Sequence, residues 1–199
     1  MRAGLYGKRD TSMNLPNKLT IARVAVVPFF AGTATLAVKT GGRVWYFFAG
    51  VLFAAASYTD MVDGKLARKY GLVTNFGKFA DPLADKILTT AAFLYMQREG
   101  ICSPVVLLLI LAREFAVSGL RMVAASENRD GVIAANMWGK AKTVLQMVTI
   151  LFFYFGAALL PWTEAVRSLS AGLCWACAAA TVVSGAVYFM ENLDVLAEH

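Results

Sequence analysis

Four aspartates lie in a short polar stretch between two strongly apolar segments of this sequence. They form two pairs, because Asp60 and Asp63 are three residues apart and Asp81 and Asp85 are four apart. On a helix, either spacing places both carboxylates of a pair on one face. If the two helices are antiparallel neighbours, all four carboxylates line one cavity. Carboxylates without histidine or cysteine suit Mg²⁺ or Mn²⁺, and four of them suffice for two ions.

Other interpretations of these acids stay open from the residues alone. Acids at a membrane boundary cost several kcal/mol unless they are paired or coordinated, so they indicate a functional site. A cation channel or proton relay would use them as well, and ordinary loop residues near helix N-termini are a third possibility. The only histidine is His199, at the C-terminus, which argues against Ser-His-Asp catalysis and His-ligated zinc.

The elements that position these acids are predicted to be membrane helices. Of the 199 residues, 58% are hydrophobic and only 16% are charged. About 20 helical residues cross the hydrocarbon layer of a bilayer. Six apolar segments approach that length, at residues 21–37, 44–61, 81–96, 104–125, 141–160 and 166–190. We therefore predict an all-α polytopic membrane protein with six transmembrane helices, in which residues 64–79 form the return between the second and third.

The distribution of lysine and arginine predicts the orientation of this bundle. An even number of spans puts both termini on one side. With both termini in the cytoplasm, thirteen Lys and Arg residues fall in interior segments and four in exterior turns. Short loops rich in these residues stay in the cytoplasm. Both termini are therefore predicted to be cytoplasmic.

Two cysteines, Cys174 and Cys177, form a CxxC pair within the last apolar segment. Their spacing places both thiols on one helix face. Free cysteines are among the most buried residues, so this pair is predicted to pack into the core.

The spacing D-x2-D-G-x2-A-R-x8-G-x3-D-x3-D resembles the signature of the CDP-alcohol phosphotransferase family. All eight fixed positions are present, namely Asp60, Asp63, Gly64, Ala67, Arg68, Gly77, Asp81 and Asp85. Residues 14–23, residues 112–114 with Arg121, and residues 139–143 with Gln146 also resemble this family. The resemblance is closest to bacterial members that use CDP-diacylglycerol and glycerol 3-phosphate. Residues 1–12 look like an N-terminal extension, and residues 13–199 like a single membrane domain.

This resemblance implies an enzyme of the bacterial cytoplasmic (inner) membrane, with its active site facing the cytoplasm. It implies transfer of the phosphatidyl group of CDP-diacylglycerol to glycerol 3-phosphate, giving phosphatidylglycerol phosphate and CMP. Asp60, Asp63, Asp81 and Asp85 would be metal ligands, and Asp85 would also be the catalytic base. The expected CDP-binding residues are Asp63, Gly64, Ala67, Arg68 and Gly77. The expected partners are membrane lipid and a second copy of the chain in a homodimer, and no nucleic acid.

The acceptor alcohol must be selected by residues outside the shared signature. Arg113 is costly within an apolar segment unless it has an anionic partner, and Arg121 lies about two helical turns further on. Lys140 and Lys142 open the fifth span from the same side. These four residues are the predicted phosphate site of the acceptor. For Lys140 and Lys142 the alternative is that they retain this end of the helix in the cytoplasm or contact anionic lipid headgroups. Inositol phosphate, serine or phosphatidylglycerol are alternative acceptors, and divalent-cation transport is an alternative of another class.

Overall fold

The computed structural model describes residues 15–70, 75–126 and 137–192. Over these ranges the chain forms six helices and no strand: α1 (Leu15–Thr40), α2 (Arg43–Tyr70), α3 (Asn75–Arg98), α4 (Pro104–Ser126), α5 (Met137–Leu159) and α6 (Glu164–Met190). The all-α prediction is confirmed in this part of the chain. Every predicted apolar segment falls within one of these helices, except that Leu160 lies just past α5.

The predicted return between the second and third helices is wrong in its extent. Helix α2 continues to Tyr70 and α3 begins at Asn75, so only residues 71–74 separate them. The reason is that hydropathy marks where an apolar segment ends, whereas a helix continues as long as its residues favour it. The stretch after Gly64 contains Lys65, Leu66, Ala67 and Arg68, which are all good helix formers. Both aspartate pairs therefore lie on helical backbone.

Glycines and a threonine set the short turns at the opposite end of the bundle. Gly41 and Gly100 have φ of 63° and 73°, the left-handed conformation that glycine adopts readily after a helix. Gly41 N–H donates to the Ala37 carbonyl at 2.8 Å, which closes α1. Thr163 caps α6 by accepting from the Val166 N–H at 3.5 Å, and Glu164 follows in the first turn.

An aromatic cluster around Phe30 holds four of the helices together. The Phe30 ring of α1 lies 6.3 Å from Phe53 of α2, 6.3 Å from Tyr95 of α3 and 5.5 Å from Tyr154 of α5. Gly50 allows α2 and α5 to pack closely here, since a Cβ at this position would lie 3.2 Å from the Cβ of Tyr154. Through Phe30, this core fixes α1 against α2 and α3, the two helices that carry the aspartates.

The CxxC cysteines belong to the same core, as predicted. Cys174 and Cys177 are fully buried, and the Cys177 thiol lies 3.1 Å from the Thr149 hydroxyl of α5. Cys102, in the turn between α3 and α4, is buried as well, and all three cysteines are free.

Apolar character differs among the helices. By length and composition, α5 and α6 are apolar enough to cross a membrane, whereas α1 contributes a shorter apolar stretch, Val24–Thr40. Helix α4 contains three charged residues, Arg113, Glu114 and Arg121, despite its apolar first half. All six helices nevertheless expose large apolar side chains, for example Phe29, Phe48, Leu94, Leu108, Val148 and Trp175.

Candidate active site

The four aspartates lie on the two helices that the short 71–74 segment connects. Asp60 and Asp63 are in the C-terminal part of α2, and Asp81 and Asp85 are in the N-terminal half of α3. Their side chains lie outside the described residues, as do those of Ala67 and Arg68, and the surroundings of Gly64 and Gly77. The predicted metal and CDP contacts therefore stay predictions.

One residue after Asp85, the described part of the site begins with an ionic cluster around Glu114. We define the Glu114 cluster as Lys86 of α3, Glu114 and Ser118 of α4, and Lys142 of α5. Lys142 Nζ donates to Glu114 Oε1, and Lys86 Nζ lies 3.9 Å from Glu114 Oε2. Lys86 also donates to the Glu114 backbone carbonyl at 2.9 Å and to the Ser118 hydroxyl. A single carboxylate thus connects three helices.

A cavity of about 40 Å³ adjoins the Glu114 cluster. Its other lining residues are mostly polar, and they are Thr89, Thr90, Ile110, Thr143, Gln146 and Met147. Within the described residues, Gln146 Nε2 is buried without a hydrogen-bond partner. Such a buried donor is costly, which is typical of a site that a polar ligand completes.

Arg113 connects the Glu114 cluster to α6. Its Nη1 donates to Glu114 Oε1 at 3.4 Å, and its Nη2 donates to the Ser184 hydroxyl at 2.7 Å. The Nε atom is buried and has no hydrogen-bond partner in the part of the chain that the structure describes. Arg113 and Lys142, two of the predicted acceptor residues, therefore meet at the same carboxylate oxygen.

The other two predicted acceptor residues are more exposed. Arg121 Nε donates to the Tyr188 hydroxyl at 3.1 Å, and its guanidinium carbon lies 5.3 Å from the centre of the Tyr188 ring. Arg113 and Arg121 both contact α6, as expected for two residues about two helical turns apart on one face. Lys140 is exposed at the start of α5, whereas Lys142 is buried. The two lysines thus lie on different faces of the helix.

Comparison with known proteins agrees with the signature of the aspartates. The family model for CDP-alcohol phosphatidyltransferase matches residues 13–183, which includes α1 to α5 and most of α6. The chain belongs to the CDP-alcohol phosphatidyltransferase family. Members of this family generally depend on a divalent metal.

Several curated relatives in this family are similar over most of their length. A Bacillus subtilis protein named CDP-diacylglycerol–glycerol-3-phosphate 3-phosphatidyltransferase is 42% identical over 92% of this chain and 97% of its own. A Rickettsia bellii protein of the same name is 36% identical over 88% and 93%. A Mycobacterium tuberculosis protein named probable phosphatidylglycerophosphate synthase is 38% identical over 96% and 87%.

Sequence reasoning missed several residues that this family member places around the predicted acceptor site. Lys86 follows Asp85 directly, and a lysine within the predicted third span was a usable signal, in the same way as Arg113 in the fourth. Ser184 and Tyr188 of α6 gave no such signal. Small hydroxyl and tyrosine side chains are common in membrane helices, and only the packing of α6 against α4 shows their contacts.

Proposed function

We propose that this chain transfers the phosphatidyl group from CDP-diacylglycerol to glycerol 3-phosphate, releasing CMP and forming phosphatidylglycerol phosphate. The observation that carries this proposal is the similarity to relatives with that named activity, at 36–42% identity over about nine-tenths of the chain. The family match over residues 13–183 includes the whole aspartate signature and supports the same reaction class.

The donor half of the site is proposed to lie on α2 and α3. The chemistry of the four carboxylates, with no histidine in the motif, fits two Mg²⁺ or Mn²⁺ ions held by Asp60, Asp63, Asp81 and Asp85. When bound, such ions neutralise pyrophosphate charge and stabilise the CMP leaving group. Asp63 would also contact CDP, together with Gly64, Ala67 and Gly77, whose small size would leave room for a nucleotide. Arg68 would add a fixed cation that can pair with the phosphates of CDP.

Asp85 is proposed as the base that accepts the proton of the attacking hydroxyl. Its position on α3 directly precedes Lys86, whose ammonium group belongs to the Glu114 cluster. The acceptor would therefore bind between the α3 aspartates and the cations gathered around Glu114. A base must come within hydrogen-bond reach of the proton that it removes, and Asp85 and Lys86 lie in the same turn of α3.

The acceptor half of the site is proposed to lie between α4, α5 and α6. Glycerol 3-phosphate carries a dianionic phosphate, which the planar guanidinium of Arg113 can bind through two parallel hydrogen bonds. The buried Arg113 Nε, without a hydrogen-bond partner among the described residues, is a donor that such a ligand would satisfy. Lys142 would add charge from α5, and Arg121 and Lys140 would contribute from the more exposed side.

We further propose that the six helices span the cytoplasmic membrane of a bacterium, with both termini and the active site on the cytoplasmic side. Exposed apolar side chains on every helix support a lipid-facing surface. The excess of Lys and Arg at one end of the bundle supports the orientation. The diacylglycerol part of the donor would remain in the lipid layer, and a homodimer is the proposed assembly.

Reconstitution into vesicles tests the proposed reaction. Purified protein is supplied with CDP-diacylglycerol, Mg²⁺ and one acceptor at a time, and CMP and the lipid product are measured. Glycerol 3-phosphate should give CMP and phosphatidylglycerol phosphate in equal amounts. A product with inositol phosphate, serine or phosphatidylglycerol but none with glycerol 3-phosphate would show that glycerol 3-phosphate is not the acceptor. Ion flux through the vesicles without CMP release would favour a transporter instead.

A further inference from the structure

Three residues of α6 form a seat for the two arginines of α4. We define the α6 seat as Ser184, Gly185 and Tyr188, all of which are buried. Ser184 accepts a hydrogen bond from Arg113 at 2.7 Å, and the Tyr188 hydroxyl accepts one from Arg121 at 3.1 Å. Ser184 and Tyr188 are one helical turn apart, so α6 contacts both guanidinium groups along a single face.

Gly185 contributes space to this seat. A Cβ at this position would lie 3.1 Å from Cγ of Arg113, closer than most real contacts of a Cβ atom. The stem of Arg113 therefore runs against the backbone of α6, and the hydroxyl of Ser184 meets its guanidinium end. A side chain at residue 185 would have to displace that stem.

We infer that the α6 seat holds Arg113 and Arg121 in position to bind the phosphate of the acceptor alcohol. This inference rests on the proposed function, because it assigns the two arginines to the acceptor. Arginine binds phosphate through a fixed fork of N–H donors, so the direction of the guanidinium plane decides how well it binds. An arginine with a free choice of rotamers would have to lose that freedom on binding.

The seat lies on a different helix from the shared signature. The aspartates are on α2 and α3, whereas the seat is on α6 and contacts the arginines of α4. The aspartate signature would bind the nucleotide part of the donor. The seat instead contacts the two arginines that would bind the phosphate of the acceptor. Ser184, Gly185 and Tyr188 are thus positioning residues for acceptor specificity.

The first test replaces Ser184 by alanine and compares the Michaelis constants of both substrates. Loss of a hydrogen bond to a charged group corresponds to a roughly tenfold change in an equilibrium constant such as a binding affinity. Ser184→Ala should therefore raise the KM of glycerol 3-phosphate about tenfold and leave that of CDP-diacylglycerol and kcat unchanged. Ser184→Thr keeps the hydroxyl and should stay close to the wild type. Equal increases in both KM values would overturn the inference that the seat positions the arginines for the acceptor.

Thr181→Val is the matched control on the same helix. Thr181 is fully buried, and its hydroxyl has no hydrogen-bond partner among the described residues. Valine has nearly the same shape, so this variant removes a buried α6 hydroxyl without removing a hydrogen bond to either arginine. It should leave both KM values at the wild-type level. A rise in the KM of glycerol 3-phosphate as large as that of Ser184→Ala would show a general packing effect and overturn the inference.

A second test uses Gly185→Ala in two backgrounds and does not depend on the serine. In the wild type, the added Cβ should crowd Arg113 and raise the KM of glycerol 3-phosphate. In an Arg113→Ala background the Cγ atom is absent, so Gly185→Ala should have no additional effect. Additive effects would overturn the inference, because they would mean that Gly185 acts independently of Arg113.

The same measurements separate this inference from the proposed function. If Arg113→Ala leaves the KM of glycerol 3-phosphate unchanged, the proposed acceptor site itself is wrong. If Arg113→Ala raises that KM, whereas Ser184→Ala and Gly185→Ala do not, only the seat is wrong.

Discussion

Lys142 of α5 and Glu114 of α4 form an ion pair inside the bundle, where the lysine is only 2% exposed. The same carboxylate is contacted by Lys86 of α3 and by the neighbouring Arg113. A buried charge is stable only when it is paired and hydrogen-bonded. Glu114 therefore contributes both to the packing of three helices and to the placement of the cations in the acceptor site.

Replacing Glu114 by glutamine should destabilise the protein strongly. Removal of one partner of a buried ion pair costs about 3–5 kcal/mol, because the other charge stays in a poor environment. We expect thermal unfolding in detergent to show a clear fall in the midpoint for Glu114→Gln. Lys140→Gln is the matched control, since Lys140 is exposed two residues from Lys142 and should leave the midpoint unchanged.

The double variant Glu114→Gln with Lys142→Met tests whether this loss comes from the ion pair. Removing both charges should restore part of the stability that either single change loses, because neither ion of the pair then stays buried without its partner. A double variant as unstable as the sum of both single variants would contradict a direct interaction.

Arg113→Ala should raise the KM of glycerol 3-phosphate more than that of CDP-diacylglycerol. Such a change identifies an interaction with one substrate in the bound state. Arg113→Lys keeps the charge but loses the planar fork, so it should recover only part of the affinity. Steady-state kinetics with each substrate varied in turn measure both values. The effect of Arg121→Ala should be smaller, because Arg121 is more exposed. Equal effects of Arg113→Ala on both substrates would remove Arg113 from the acceptor site.

Most of the fold could be predicted because hydrophobic length is a strong signal in this chain. The six apolar segments identified all six helices of the described residues. The helix ends were less accessible, as the extension of α2 to Tyr70 shows, since charged helix formers continue a helix beyond its apolar part. The packing order was also out of reach, because nothing in the local sequence specifies that Phe30 contacts Phe53, Tyr95 and Tyr154.

The candidate site could be predicted where a charged residue lies within an apolar segment of the sequence. Most of the 19 lysines and arginines fall in predicted interior or exterior segments, and the two that do not are Lys86 and Arg113. Both contact Glu114, so an unexplained cation in an apolar segment was informative in each case. Ser184 and Gly185 could not be found in this way. Their importance depends on which face of α6 meets α4.

The CxxC pair should be dispensable for the reaction. Cys174 and Cys177 are fully buried in the core, where the Cys177 thiol lies 3.1 Å from the Thr149 hydroxyl. Cys174→Ala and Cys177→Ala should keep kcat and both KM values and lose about 1 kcal/mol of stability, as small deletions in a core do. A loss of turnover in a variant that remains folded at the assay temperature would assign the pair a role in catalysis.

Removal of divalent metal should abolish transfer and be reversible. Chelation followed by dialysis should stop CMP release, and added Mg²⁺ or Mn²⁺ should restore it, because carboxylates bind hard cations through oxygen. Asp60→Asn, Asp63→Asn and Asp81→Asn should each abolish activity and weaken metal-dependent binding of a CDP ligand. Transfer at an unchanged rate after complete chelation, verified by metal analysis, would overturn the proposed role of the aspartates.

Asp85→Asn should separate proton transfer from nucleotide binding. Asparagine keeps the size of the side chain and one oxygen, but it is a far weaker base than a carboxylate. We therefore expect turnover to fall by about 10² or more, the usual contribution of a positioned general base, while CDP binding stays measurable. Calorimetric binding of CDP in the presence of Mg²⁺ provides the second readout, with Asp63→Asn as the comparison that should lose both. Substantial residual turnover in Asp85→Asn would dismiss Asp85 as the base and leave it as a metal ligand.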